Sequence, residues 1–109
     1  MKKEEVVKKN REFEYIINKG ECKKNSEFVI YYIDNDKSFS RYGISVSKKI
    51  GNAVTRNYYK RVIRNICDKS KKFYSNNKDY IIIMRKGLMT LSFDEAYNSL
   101  NSLLQKINN

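Results

Sequence analysis

The segment EFVIYYID (27–34) is apolar on both of its faces, and that property narrows the folds open to this chain. Phe28, Ile30 and Tyr32 alternate along one face, and Val29, Tyr31 and Ile33 along the other. β-Branched and aromatic side chains suit a pleated strand. DYIIIMR (79–85) is a short continuous apolar run, suited to a strand covered on both faces. Between them, beyond a DNDKS turn, RYGISVS (41–47) reads as a further strand. Amphipathic helices flank these strands. NREFEYIINKG (10–20) places Phe13, Ile16 and Ile17 at i, i+3 and i+4, with Asn10 as a candidate N-cap and Gly20 as a stop. LSFDEAYNSLNSLLQKI (91–107) opens on a capping box from Ser92 to Glu95. Its stripe of Phe93, Ala96, Tyr97, Leu100, Leu103, Leu104 and Ile107 reads as core packing. The order of helix, strands, helix, strand, helix predicts an α+β two-layer sandwich.

The middle helix carries the functional signal. KKIGNAVTRNYYKRVIRN (48–65) holds six basic side chains and no acidic one. Gly51-Asn52 marks a turn and helix entry, and from Ala53 the pattern is helical. At about 100° per residue from Arg56, the residues Arg56, Asn57, Lys60, Arg61 and Arg64 fall between roughly 0° and 140°. Tyr58, Tyr59, Val62, Ile63 and Ile66 fall between roughly 200° and 340° on the same count. The helix therefore has a basic face and a core face. Lys48 and Lys49 approach its start from the preceding strand. Arg forks bind phosphate bidentately, Lys adds a point charge, and Asn can bond a phosphate or a 2′-hydroxyl.

With 109 residues the chain is expected to form a single domain over 1–109. A domain of that size buries roughly two-thirds of its unfolded surface, enough for a single core. The net charge is +11, and its distribution says more than its total. Lys37, Arg41, Lys48, Lys49, Arg56, Lys60, Arg61 and Arg64 follow one another with no acid before Asp68. Such a field calls for a polyanion, either nucleic acid or an anionic membrane. The apolar face of the basic helix is needed to cover the sheet, whereas a membrane-surface helix would insert it. The charged start MKKEEVVKKN lacks a signal h-region, and no apolar run approaches the ~20 residues of a membrane span. The expectation is a cytoplasmic protein that does not bind membrane. Cys22 and Cys67 lie far apart with no histidine in the chain, and read as two reduced thiols. Without histidine or a carboxylate pair at a telling spacing, neither a catalytic residue nor a metal site is expected in the protein itself. Phe13 and Tyr31 can stack on unpaired bases or fill the core, and pattern alone leaves both readings open.

The segment YGISVSKKIGNAVTRNYYKRVIRN resembles the signature region of the bacterial ribonuclease P protein family. That region reads SKK-x-G-x-AV-x-RN-x-x-KR-x-x-R, matched here by Lys48-Lys49, Gly51, Ala53-Val54, Arg56-Asn57, Lys60-Arg61 and Arg64. KKNREFEYIINKG looks like the family's first helix, FVIYY its long strand and DYIIIMRKG its last strand. The motif is specific in a way that charge and amphipathicity are not, and the resemblance spans nearly the whole chain.

The resemblance implies an RNA-binding subunit of ribonuclease P, in which a catalytic RNA removes the 5′ leader from precursor tRNA. It implies Mg2+ for the RNA-containing holoenzyme and no cofactor in the protein. The basic helix would bind the RNA subunit through Lys48, Lys49, Arg56, Asn57, Lys60, Arg61 and Arg64. A central cleft between the first helix and the sheet would hold the single-stranded leader, lined by Phe13, Ile17 and Tyr31. The implied fold is α-β-β-β-α-β-α, like the second domain of ribosomal protein S5. Its sheet has four strands, including a short one near Cys22 to Asn25, and a left-handed βαβ crossover where the general rule gives a right-handed one. Two residues depart from the family pattern: Tyr58 replaces the last Arg of its Arg-Asn-Arg motif, and Ile17 stands where an aromatic is common. The chain also stops soon after Ile107, without the basic tail of some relatives. The alternative is a ribosomal or ribosome-assembly RNA-binding protein with no cleavage role. It shares the charge pattern but not the fixed motif.

Overall fold

A computed structural model of the chain describes residues 3–70, 74 and 77–108. The apolar strand segments pair into one sheet. Helix α1 (Asn10–Lys19) leads into β1 (Glu21–Lys24), β2 (Phe28–Asp34) and β3 (Arg41–Ser45). Helix α2 (Ala53–Ser70), strand β4 (Lys78–Met84) and helix α3 (Phe93–Asn108) follow, with short 3-10 turns at Lys3–Glu5 and Lys86–Thr90. The strand order is β1-β2-β4-β3. β1 and β4 both run antiparallel to β2, whereas β3 runs parallel to β4. A parallel pair needs a long crossover, and α2 supplies it.

β2 and β4 occupy the middle of the sheet, where strands apolar on both faces belong. One face is covered by α2 and α3. Phe28, Ile30, Tyr80 and Ile82 pack there against Ile63, Ile66, Leu100 and Leu104, all with no exposed surface. Tyr42 and Tyr80 stack at 5.2 Å between ring centroids. α1 lies across the opposite face, where Ile16 meets Val7 and Ile81 in a much smaller cluster. Val7 donates its backbone N–H to the Tyr42 carbonyl at 3.0 Å, which lays the start of the chain along the free edge of β3.

Local details refine the sequence reading. Asn10 is the first helical residue and Lys9 holds the cap position without a side-chain bond, so Asn10 is not the cap expected. Gly20 does end α1, but in extended backbone, and the reason for glycine is space. A Cβ there would lie 2.5 Å from the Tyr32 carbonyl oxygen. The Ser92–Glu95 capping box forms in both directions, at 2.9 and 3.2 Å. Phe93, expected in the core, is 38% exposed, and Lys69 of α2 sits 4.9 Å from its ring centroid. The exposed strand β1 is held by its turn. Asn25 Oδ1 accepts the N–H groups of Glu27 and Phe28, and Asn25 Nδ2 donates to Ser99 Oγ of α3 at 3.1 Å.

Candidate nucleic-acid interface

Asn52 opens α2: its Oδ1 accepts the Thr55 N–H at 3.0 Å, and its carbonyl accepts the Arg56 N–H. Downstream, the helical period separates the two faces as the sequence predicts. Ile63, Ile66 and Cys67 are fully buried. Lys48, Lys49, Asn57, Arg61 and Arg64 are exposed, and Arg56 and Lys60 are half-buried. Tyr58 is the exception on the apolar side. It is 54% exposed and meets Tyr59 edge-on at 5.1 Å, so it lies outside the core to which helical periodicity assigns it. It stands at the margin of the apolar arc, about 200° from Arg56, and lines a small cavity with Leu88, Met89 and Phe93.

The cations on the basic face of α2 form no ion pair among the described residues. The ion pairs formed among the described residues join Arg41 to Glu12 and Asp79, and Lys78 to Asp34. None engages Lys48, Lys49, Arg56, Lys60, Arg61 or Arg64. Arg56 Nε is buried without a hydrogen-bond partner, a costly arrangement.

A groove of about 540 Å³ runs beside this face. Lys60 and Arg64 form one wall, Phe13 and Glu14 of α1 another, and Ser45 and Val46 part of the β3 side. Val6, Val7 and Lys8 close it. Sequence reasoning missed these three, although two adjacent valines inside a charged run were a signal of local burial. Phe13 has its seat because residue 43 is glycine: a Cβ there would meet Phe13 Cζ at 2.7 Å and Ile81 Cδ1 at 2.8 Å. Gly43, Ile81 and Tyr31 are consecutive partners across β3, β4 and β2, so Phe13 and Tyr31 share the sheet face beneath α1. Tyr31 is half-buried against the small cluster there, and Ile17 is 37% exposed one turn along α1 from Phe13. Neither belongs to the walls of the 540 Å³ groove. The structure thus joins Phe13 to Lys60 and Arg64, and sets Ile17 and Tyr31 outside the groove.

Burial, above all, raises the titration of the Tyr42 hydroxyl and of the Cys67 thiol well above their ordinary values. Both stay neutral at physiological pH, and Cys67 is no nucleophile. No group of three or more His, Cys, Asp or Glu that could hold a metal ion occurs among the described residues. None of their helices is long and apolar enough to cross a membrane.

An α+β domain with an unpaired cationic helix beside a groove is, as a class, a polyanion-binding protein. The Ribonuclease P family model matches residues 1–108. The ribonuclease P protein component of Mesoplasma florum is 51% identical over 105 residues, covering 95% of this chain and 96% of the relative. That of Bacillus pumilus is 45% identical over 107 residues, covering 97% and 90%. A mutant RNase P protein from Staphylococcus aureus superimposes with a TM-score of 0.90 at 38% identity, covering 97% of this chain and 90% of that one. The RNase P protein from Thermotoga maritima gives 0.87 at 31% identity, covering 94% and 96%. The chain belongs to the ribonuclease P protein family. Its role is that of the protein subunit of this RNA-based endoribonuclease, in tRNA processing, with an RNA as partner. The ribosome-associated alternative gives way to that assignment.

Proposed function

We propose that the protein binds the catalytic RNA subunit through the basic face of α2 and holds the 5′ leader of precursor tRNA in the groove beside it. Lys48, Lys49, Arg56, Asn57 and Arg61 are the contacts to the RNA subunit. Lys60 and Arg64 belong to the same set and also face the groove, so they reach the sugar-phosphate backbone of either strand. Phe13 offers a stacking surface at the groove, and Ile17 and Tyr31 extend the apolar surface along α1 and the sheet. Stacking on aromatic side chains above a cationic channel is the usual physics of single-stranded RNA binding. The observation that carries the reading is that Phe13 and the unpaired cations Lys60 and Arg64 line one groove.

The chain contributes no catalytic side chain in this reading. In this reading the Mg2+ required for cleavage is held by the RNA-containing holoenzyme. The setting is the cytoplasm.

The test is cleavage of precursor tRNA at low Mg2+ by the cognate RNA, with and without the protein. Stimulation by the protein, with no cleavage by protein alone, supports the reading. Cleavage by the protein alone would overturn it, as would failure to stimulate. Binding should also weaken with salt: if about five phosphates are neutralised, log K falls against log salt with a slope of roughly −3.5 to −4.5. A slope near zero would contradict a phosphate interface.

A further inference from the structure

α1 carries Phe13, yet its apolar hold on the sheet is slight. Ile16 is its one fully buried residue, and Phe13 is only half-buried over Gly43. Two neighbouring apolar contacts do little to fix the rotation of a short helix about its own axis. The opposite flank of α1 is held by charge. Arg41, the first residue of β3, donates Nη1–H to Glu12 Oε2 on α1 at 2.9 Å. The same guanidinium donates Nε–H and Nη2–H to the two oxygens of Asp79 on β4, at 2.9 and 2.6 Å. Asn35 Nδ2, beyond the end of β2, donates to Asp79 Oδ1 at 2.7 Å. The side chains of Arg41 and Asp79 are only 15% and 7% exposed. The Asp79 hydrogen bond, with that of Glu12 behind it, holds the Arg41 guanidinium protonated beyond its ordinary range.

A half-buried ion cluster is a poor way to gain stability, since desolvation offsets most of the attraction. Its fork geometry does fix orientation. Glu12 and Phe13 are adjacent on α1 and leave the helix about 100° apart, on either side of the buried Ile16. We propose that Arg41 is a positioning residue: through Glu12 it sets the roll of α1, and so the angle at which Phe13 faces the groove. This rests on the reading of that groove as the leader site. Arg41 itself touches no substrate.

The experiment measures the affinity of the assembled holoenzyme for precursor tRNA and for mature tRNA lacking the leader. Glu12→Ala removes the α1 half of the link and leaves Arg41 on Asp79. It should lower the precursor-to-mature affinity ratio roughly fivefold, the low end of measured site coupling. Affinity for mature tRNA and assembly with the RNA subunit should be unchanged. Glu12→Gln, which can still accept from Nη1, should keep most of the ratio, and Glu12→Lys should lose the most. Phe13→Ala is the control for the leader site. A drop with Phe13→Ala but none with Glu12→Ala or Glu12→Lys would overturn the positioning role and leave the leader site standing. No drop with Phe13→Ala would remove the leader site and the inference together. Equal losses for precursor and mature tRNA in the Glu12 variants would mark a general folding defect and overturn the role. Circular dichroism of each variant gives the folded fraction against which these ratios are judged.

Discussion

The two faces of the sheet are held in different ways. Beneath α2 and α3 lies one continuous apolar cluster, in which Ile63, Ile66, Leu100 and Leu104 interlock with β2 and β4. Beneath α1 lies a small cluster of Val7, Ile16 and Ile81, supplemented by the Arg41 ion pairs and by the gap at Gly43. The first face resists any change of packing and gives α2 a rigid seat for its cations. The second is thin enough for one side chain to alter how α1 sits. A phosphate interface that depends on charge spacing gains from the rigid face. The groove proposed for a flexible single strand lies between the two, with Lys60 and Arg64 of α2 on one side and Phe13 of α1 on the other.

Ile66→Ala is expected to have the largest effect. Ile66 is fully buried, and deleting it leaves a cavity costing about 2–5 kcal/mol. Urea unfolding should show the loss, while precursor-to-mature selectivity in the fraction that still folds stays as it was. A changed selectivity would break the division between the faces.

Gly43→Ala should do the reverse. The added methyl meets the ends of two side chains, Phe13 and Ile81, and overpacking of that kind costs roughly 1–3 kcal/mol. Because Phe13 can swing away, the stability loss should lie at the low end while precursor preference falls clearly. Unfolding curves together with precursor and mature tRNA binding would sharpen the contrast. A well-preserved preference would mean that the seat of Phe13 does not matter.

The smallest effect concerns the capping box of α3. The Ser92 backbone N–H, and then its hydroxyl, hold the Glu95 carboxyl below the usual carboxylate range. A folded-state value that is depressed contributes stability above the unfolded value, and that contribution is lost as pH falls through the lowered one. Ser92→Ala should cost about 1 kcal/mol at neutral pH. Relative to Glu95→Gln, which keeps the Ser92 hydroxyl cap but has no titrating carboxyl, the parent protein should lose its advantage as pH falls below the ordinary carboxylate range. A difference in melting temperature that stays flat from neutral to acid pH would count against the Glu95 contribution.

The helices, central strands and capping box were legible from the sequence because each depends on neighbours within a turn or two. Period and propensity report that kind of interaction directly. The basic face of α2 was legible for the same reason, since 3.6 residues per turn places Arg56, Asn57, Lys60, Arg61 and Arg64 together wherever the helix lies. Tyr58 misled because it stands at the margin of the apolar arc, where periodicity does not decide between core and solvent. β1 is exposed along its length, and its tie to Ser99 joins residues far apart in the chain. Nothing local in KKN announces it.

The sequence by itself therefore determined the inventory: an α+β fold, a cationic helix, and a signature specific enough to name its family. Only the tertiary structure decided that Phe13 shares a groove with Lys60 and Arg64, that Ile17 and Tyr31 lie outside its walls, and that Arg41 is spent on Glu12 and Asp79. Pairings such as Arg41 with Glu12 leave no periodic trace, because their partners meet only when the chain has closed β3 against β4 and folded α1 back across the sheet.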